Sequence, residues 1–408
     1  MTSKSVPESA APRALAQPTA PSQRALLLSL AVAAFMVALD GRVVAPLLPT
    51  IADDFDISIA HASWLVSGYM LPYGLCQLGY GPLADRFGKV RVATYAMAAF
   101  SIGTALCGAF PSFGMIVVLR ALTGAAASAL IPLSLAYIGD TVPYGERQAA
   151  LAMLTASTGA AQSFSTSAGG TIAAFVSWRT VFPLLGALAG GATLALFLLR
   201  HRELRLPPML GEPRPRYRDA LRAPRMKALL ALVALEGFLY MGSFTFLSGL
   251  LEERFGLDPF DIGLVMSTAG IAQLLSARLL PRLLRLFRER TLMLVGGCCM
   301  GSAYLLCAVA PRPAWVAIAC LLVGAGFTFC HTTLQTRATE AFPRARGTAL
   351  ALFAFALVSS SALGTVCIGY ASEALGYLRT FLASGAALLL FTAVLVRVLG
   401  ARPEVQPG

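Results

Sequence analysis

Two carboxylates sit inside apolar runs of the sequence. Asp40 lies in AVAAFMVALDGRVVAPLLP, and Glu236 lies in a second run that contains VALEG. A charge at the centre of a bilayer costs about 2.5 kcal/mol or more even on a mild insertion scale, so such residues usually face a cavity or a partner. A carboxylate there can do two kinds of chemistry. It can take up and release a proton as its surroundings change, or it can hold a cation. Arg120, in the apolar run VVLRALTG, is the nearest candidate counter-charge.

Depth decides whether Asp40 and Arg120 can meet. Asp40 lies about fifteen residues, or roughly 22 Å, from the start of its run, and Arg120 about seven residues, or roughly 10 Å, from the opposite face. Across a core of about 30 Å these depths nearly coincide. Three readings stay open: a proton-linked switch, a permanent ion pair that orients two helices, or no contact. Glu236 lies near mid-depth, with no partner that the sequence names. It either binds a cationic substrate, carries a proton, or is a buried carboxyl bonded to a neighbouring helix.

Other polar residues mark possible cavity faces. Arg42 lies about 200° around the helix from Asp40. It either lines an external vestibule, where it would favour an anionic or zwitterionic substrate, or snorkels outward. Tyr69, Tyr73 and Gln77 recur at four-residue spacing on one face, as a substrate-facing stripe or as packing hydrogen bonds. Tyr240, Met241, Phe244 and Phe246 form either an adaptable lining or core. His331 and Gln335 sit near one end of a later run, where packing or gating is the default. A lone histidine supports no metal site.

Several chemistries lack their motifs. There is no GxxxxGK[ST], HExxH or GxSxG, so ATP-driven pumping and hydrolysis are unsupported and neither a cofactor nor an enzymatic activity is expected. The eight cysteines fall in apolar stretches without a CxxC pair, which reads as small filler rather than disulfides or zinc.

The elements that position these residues are set by composition. The chain is 57% hydrophobic and 13% charged, with mean hydropathy +0.71; soluble domains carry about 25% charged residues. Lipid is the expected solvent for much of the surface. Runs of spanning length occur at 25–48, 62–83, 90–109, 113–136, 148–175, 180–199, 227–250, 260–281, 291–310, 314–335, 346–371 and 378–398. The expectation is an all-α membrane protein of twelve transmembrane helices in two pseudo-symmetric six-helix bundles, 25–199 and 227–399. A disordered tail at 1–24, a basic proline-rich linker at 200–226 and a tail at 400–408 complete it.

The net charge of +12 does not point to nucleic acid, because the positives lie in short loops on one side. Arg42, Arg120, Arg179, Arg254, Arg312 and Arg379 are the exceptions. The asymmetry places both termini in the cytoplasm of a multi-pass protein of the inner or plasma membrane.

The halves repeat. VALDG and VALEG lie at a common offset with the pairs Gly74/Gly270, Gln77/Gln273 and Arg86/Arg282, and Gly124/Gly324 at nearly the same offset. Arg120 has Cys320 at its counterpart position. Parallel halves of this kind place a cavity between them near the midplane.

GPLADRFGKVR, at 81–91, closely resembles the loop motif of the major facilitator superfamily. LRALTGAAASA (119–129), SWRTVF (177–182) and TRATEAFPRARGTALAL (336–352) extend the likeness over about 25–400. The drug/proton antiporters of that family are the nearest group, although STSAGG at 165–170 replaces their G-P-x-x-G-G. The resemblance implies a gating loop made of Gly81, Asp85, Arg86, Gly88, Lys89 and Arg91. In it Gly81 permits close helix approach, Gly88 makes the tight reversal, and Asp85 holds the cytoplasmic side closed. Lys89 and Arg91 face headgroups or acidic partners.

The expected function is proton-coupled efflux of a drug-like or metabolite molecule by alternating access. Asp40 and Arg120 would couple the proton; Glu236, Arg42, Tyr69, Tyr73 and Gln77 would contact substrate. Partners are the substrate, protons and membrane lipid, and the family expectation is a monomer. A sugar or organic-acid uptake carrier, and a non-transporting receptor or scaffold on the same fold, stand as alternatives.

Overall fold

The computed structural model describes residues 21–202, 217–342 and 345–400. The expected tails, apart from 21–24 and Gly400, and most of the linker lie outside them. Among the described residues the chain is helical and has no strand.

The helices are α1 (Pro21–Val43), α2 (Leu48–Phe55), α3 (Ile59–Ala62), α4 (Trp64–Phe87), α5 (Lys89–Cys107), α6 (Phe113–Ala127), α7 (Leu130–Thr141), α8 (Tyr144–Phe175) and α9 (Trp178–Leu199). After the linker come α10 (Tyr217–Arg222), α11 (Pro224–Thr245), α12 (Leu247–Phe255), α13 (Pro259–Leu286), α14 (Glu289–Val309), α15 (Pro313–Ala341) and α16 (Arg346–Gly400). Helix α16 breaks at Gly376, whose φ of 79° and ψ of 159° suit a residue without a Cβ. Gly88, at φ 95°, makes the reversal between α4 and α5.

Nine helical stretches among the described residues are long and apolar enough to cross a membrane. That number differs from the expected twelve for physical reasons. The two runs at 346–371 and 378–398 are continuous in α16 across the glycine break. Helices α4 and α8, of 24 and 32 residues, are long enough to span, but Ser, Thr, Gly, Gln and Pro dilute their hydropathy.

Buried side chains form two main clusters, one running from Leu26 to Leu196 and one from Leu229 to Leu395 joined by Ala45. Large apolar residues such as Ile102, Leu122, Phe175, Leu286 and Leu390 point outward, an inside-out surface that suits lipid.

Packing repeats between the clusters. A Cβ on Gly124 of α6 would strike the Tyr69 carbonyl of α4, and one on Gly324 of α15 would strike the Ala269 carbonyl of α13. The junction between the clusters is also lined by glycine. Gly74 abuts Ser359, Gly270 abuts Ser163, Gly170 abuts the Pro259 carbonyl and Gly263 the Thr166 carbonyl. Small residues let these backbones touch.

The end that charge asymmetry assigns to the outside is sealed. The Ala60 amide donates to Glu373 Oε1 (3.2 Å), and Trp64 Nε1 donates to the Tyr370 hydroxyl (3.4 Å). Residues 42–49 and 242–251 are all buried. Exposure on α1 and α11 belongs instead to their first two-thirds, at Leu28, Val32 and Leu235.

Candidate functional site

Asp40 comes from the last turn of α1 and Arg120 from the middle of α6. Arg120 Nη1 donates to Asp40 Oδ2 at 2.7 Å, and the two side chains are 1% and 0% exposed. Arg120 Nε donates to the Leu65 carbonyl at 3.2 Å. Its guanidinium lies 4.2 Å from the Tyr69 ring centre and 5.9 Å from that of Phe182. The other carboxylate oxygen, Asp40 Oδ1, is buried without a hydrogen-bond partner among the described residues. Low polarity strengthens the pairing and penalises any separation of it.

The STSAGG segment of α8 supports this pair from behind. Ser165 Oγ donates to the carbonyl of Leu39, next to Asp40, and Gly169 sits against the Val43 carbonyl. The serine that stands in place of the family's glycine therefore anchors the helix bearing the carboxylate.

Glu236, fully buried on α11, meets His331 of α15. His331 Nδ1 and Glu236 Oε2 are 2.9 Å apart, and the imidazole is 16% exposed. Glu236 Oε1 is buried without a partner among the described residues. The imidazole stacks on Phe327 (4.5 Å) and packs against Phe353 (5.0 Å); Phe327 in turn stacks on Tyr240 (4.4 Å). Gln273 Nε2 donates to the Tyr240 hydroxyl at 2.9 Å.

Sequence reading left Glu236 without a partner, yet the signal was available. Glu236 is about 18 Å along α11 from Pro224, and His331 about 15 Å from the same-side end of α15 at Ala341, at 1.5 Å per residue. The depth comparison that joins Asp40 to Arg120 joins these two as well.

The remaining candidates divide. Arg42 is buried rather than snorkelling outward: Nη2 contacts Met241 Sδ at 3.8 Å, and the guanidinium lies 5.8 Å from the Phe244 ring. It crosses from one cluster into the other, where the sulfur and ring faces attract a cation. Tyr69 and Gln77 are buried and Tyr73 is half-buried; the two tyrosine rings are 6.0 Å apart. Tyr240, Phe244 and Phe246 are buried as core, and Met241 is half-buried.

In the loop at 81–91, Lys89 pairs with Asp140 at 2.5 Å. Arg86 lies 5.1 Å from the Phe87 ring. Asp85 and Arg91 are exposed. Gly81 is exposed, and a Cβ there would meet nothing within 4 Å. Among the described residues no cluster of three His, Cys, Asp or Glu is placed to hold a metal.

Comparison with known proteins agrees with this architecture. The family description Major Facilitator Superfamily matches residues 30–365. The chain is 27% identical over 347 residues to an uncharacterised MFS-type transporter, YceJ, of Bacillus subtilis, covering 82% of this chain and 86% of that one. A tetracenomycin C resistance and export protein of Streptomyces glaucescens is 33% identical over 38% of this chain and 29% of its own. Among solved structures, a bacterial homologue of the human lysosomal transporter Spinster, inward-facing and occupied, aligns with a TM-score of 0.74 at 18% identity, over 93% of this chain and 96% of that one.

Proposed function

Because the chain belongs to the Major Facilitator Superfamily, a family of transporters rather than enzymes, we propose that it exports a small molecule in exchange for protons. The observation that carries this reading is the Asp40–Arg120 pair. A carboxylate with one side-chain hydrogen bond and one buried, unpartnered oxygen can accept a proton at the free oxygen. Protonation removes its attraction to Arg120, and a conformation that separates α1 from α6 becomes accessible. Proton binding and rearrangement are then linked. Relatives named as export proteins support the outward direction.

In this reading twelve spans form two bundles, 25–199 and 227–399, which rock about a central cavity. The protein is a monomer in the inner or plasma membrane, with lipid around it and both termini in the cytoplasm. Gly81, Asp85, Arg86, Gly88, Lys89 and Arg91 act at the cytoplasmic gate. Glu236, Arg42, Tyr69, Tyr73 and Gln77 contact the substrate. Of these, Tyr73 and the vicinity of Glu236 are reachable with the external end sealed, and the others engage as it opens.

The test is transport in proteoliposomes with and without an imposed pH gradient. Gradient-driven accumulation that Asp40→Asn abolishes is expected. Transport with the same gradient dependence in Asp40→Asn removes Asp40 from the mechanism. Gradient-independent exchange in the wild type favours a metabolite carrier, and no flux with any of a broad panel of organic cations, anions and sugars favours a receptor or scaffold.

A further inference from the structure

We infer that Glu236 and His331 form a second proton-binding site, in the C-terminal half, served from the cytoplasmic side. The inference rests on the transporter reading for its meaning in a cycle but not for its chemistry.

The geometry defines the proton's position. With the imidazole neutral and its Nδ1–H donating to Glu236 Oε2, the pair carries one net negative charge. The lone pair on Nε2 accepts a proton, and the pair becomes an imidazolium beside a carboxylate, with no net charge. The carboxylate favours this form, because an opposite charge within about 4 Å stabilises the protonated ring. The unpartnered Glu236 Oε1 gives the same result from the other side. A buried anion with one oxygen unsatisfied is costly, and the adjacent positive ring offsets it.

The surroundings offer few competitors. Among the described residues, α11 contributes Tyr240, α15 contributes Cys330, whose thiol lies against the Glu236 carboxylate as a weak donor, α14 contributes Tyr304, and α1 contributes Arg42 beyond Tyr240. Helix α13 presents the neutral Gln273, and α16 presents Phe353 with the hydroxyls of Ser360 and Ser361 against Gly237. Of the groups close to Glu236, His331 is the base suited to neutral pH.

A polar stripe lies along α15. Gln335 and Thr339 follow His331 at four-residue spacing. Thr332 and Thr336 flank this line, with Gln335 and Thr336 exposed and Thr332 and Thr339 half-buried. This polar stripe runs from the partly exposed imidazole to the end of the helix assigned to the cytoplasm. Loading the pair removes a net charge from an apolar wall, which favours closure around it; unloading restores the charge and favours water.

The chain has three histidines, His61, His201 and His331, so histidine-selective 15N NMR of the full chain in lipid nanodiscs reads the site directly. His331→Gln assigns the signal. The expected result is that the His331 ring takes up a second proton reversibly on acidification, and that Glu236→Gln weakens its hold on that proton about tenfold. His61 and His201 are exposed, so an unchanged melting temperature, rather than their signals, reports an intact fold. If that variant does not fold, Glu236→Asp keeps the charge and should retain the uptake. A His331 that takes up no second proton, or whose uptake ignores Glu236→Gln, overturns the proposal. Proteoliposome flux separates the two readings: no gradient-driven transport with the titration intact removes the exporter and leaves the site, and the reverse outcome removes the site alone.

Discussion

Asp40–Arg120 and Glu236–His331 join corresponding helices of the two halves, α1 to α6 and α11 to α15. In the first pair the cation is an arginine, which does not lose its proton in a protein, and both side chains are sealed from solvent. In the second the cation is an imidazole, partly exposed, which can lose its charge. The partner has also moved. Cys320, buried, occupies the position that matches Arg120, and His331 lies about three turns further toward the cytoplasmic end. The same electrostatic problem, a carboxylate in an apolar wall, therefore has a fixed solution in one half and a reversible one in the other. A change in the first pair must act through Asp40 alone and leaves a buried cation behind; a change in the second can leave only a neutral ring.

The largest test of that difference is stability. Asp40→Leu strands a permanent buried cation and should cost about 3–5 kcal/mol. Arg120→Leu leaves a carboxylate that can protonate, so it should cost clearly less, and Asp40→Leu with Arg120→Leu should recover part of the loss. Denaturant unfolding in detergent measures all three, and equal costs for the two single variants would break the asymmetry. Next in size is the packing that the halves share. Gly124→Ala and Gly324→Ala each push a methyl into a facing carbonyl, at about 1–3 kcal/mol; a large inequality in the same unfolding measurement would show that the halves are not packed alike.

Arg120→His should then give the first pair the behaviour of the second. An imidazolium beside Asp40 gains its partner only on folding, so stability is greatest below about pH 6.5 and falls by about 1 kcal/mol or more as the ring loses its proton at higher pH. The wild type, where among the described residues only His331 is paired with a carboxylate in this way, should fall less over that window than Arg120→His. The smallest effect is expected at Arg42→Ala, which removes a cation from the Met241 sulfur and Phe244 ring, worth about 0.5–1 kcal/mol. Faster maleimide labelling of an Ala45→Cys reporter would show that the external seal has loosened with it.

Much of this comparison was legible in the sequence. The two apolar runs with a carboxylate, the common offset and the depth count bring Asp40 to Arg120 before any coordinates. The second pair was not read, because a histidine is inconspicuous in hydropathy and partner choice depends on helix rotation as well as depth. Arg42 escaped for a related reason: whether a cation snorkels or crosses to a neighbouring bundle depends on what the opposite helix offers. The break after Thr245 carries no proline at its junction to announce it, whereas the one at Ser128–Ala129 does, because Pro132 lacks the N–H that would bond the Ser128 carbonyl. Gly88 was readable because a reversal requires its backbone.

The glycines between the halves have a mechanical consequence. Gly74, Gly170, Gly263 and Gly270 set one half against the other through backbone and small side chains. Such a seam behaves as a smooth bearing, able to shear without unlocking rotamers at every step. The friction of motion then concentrates in the few polar ties at its rim, Ala60 to Glu373 and Trp64 to Tyr370, so the speed of opening is set at the edge of the molecule and not along its length.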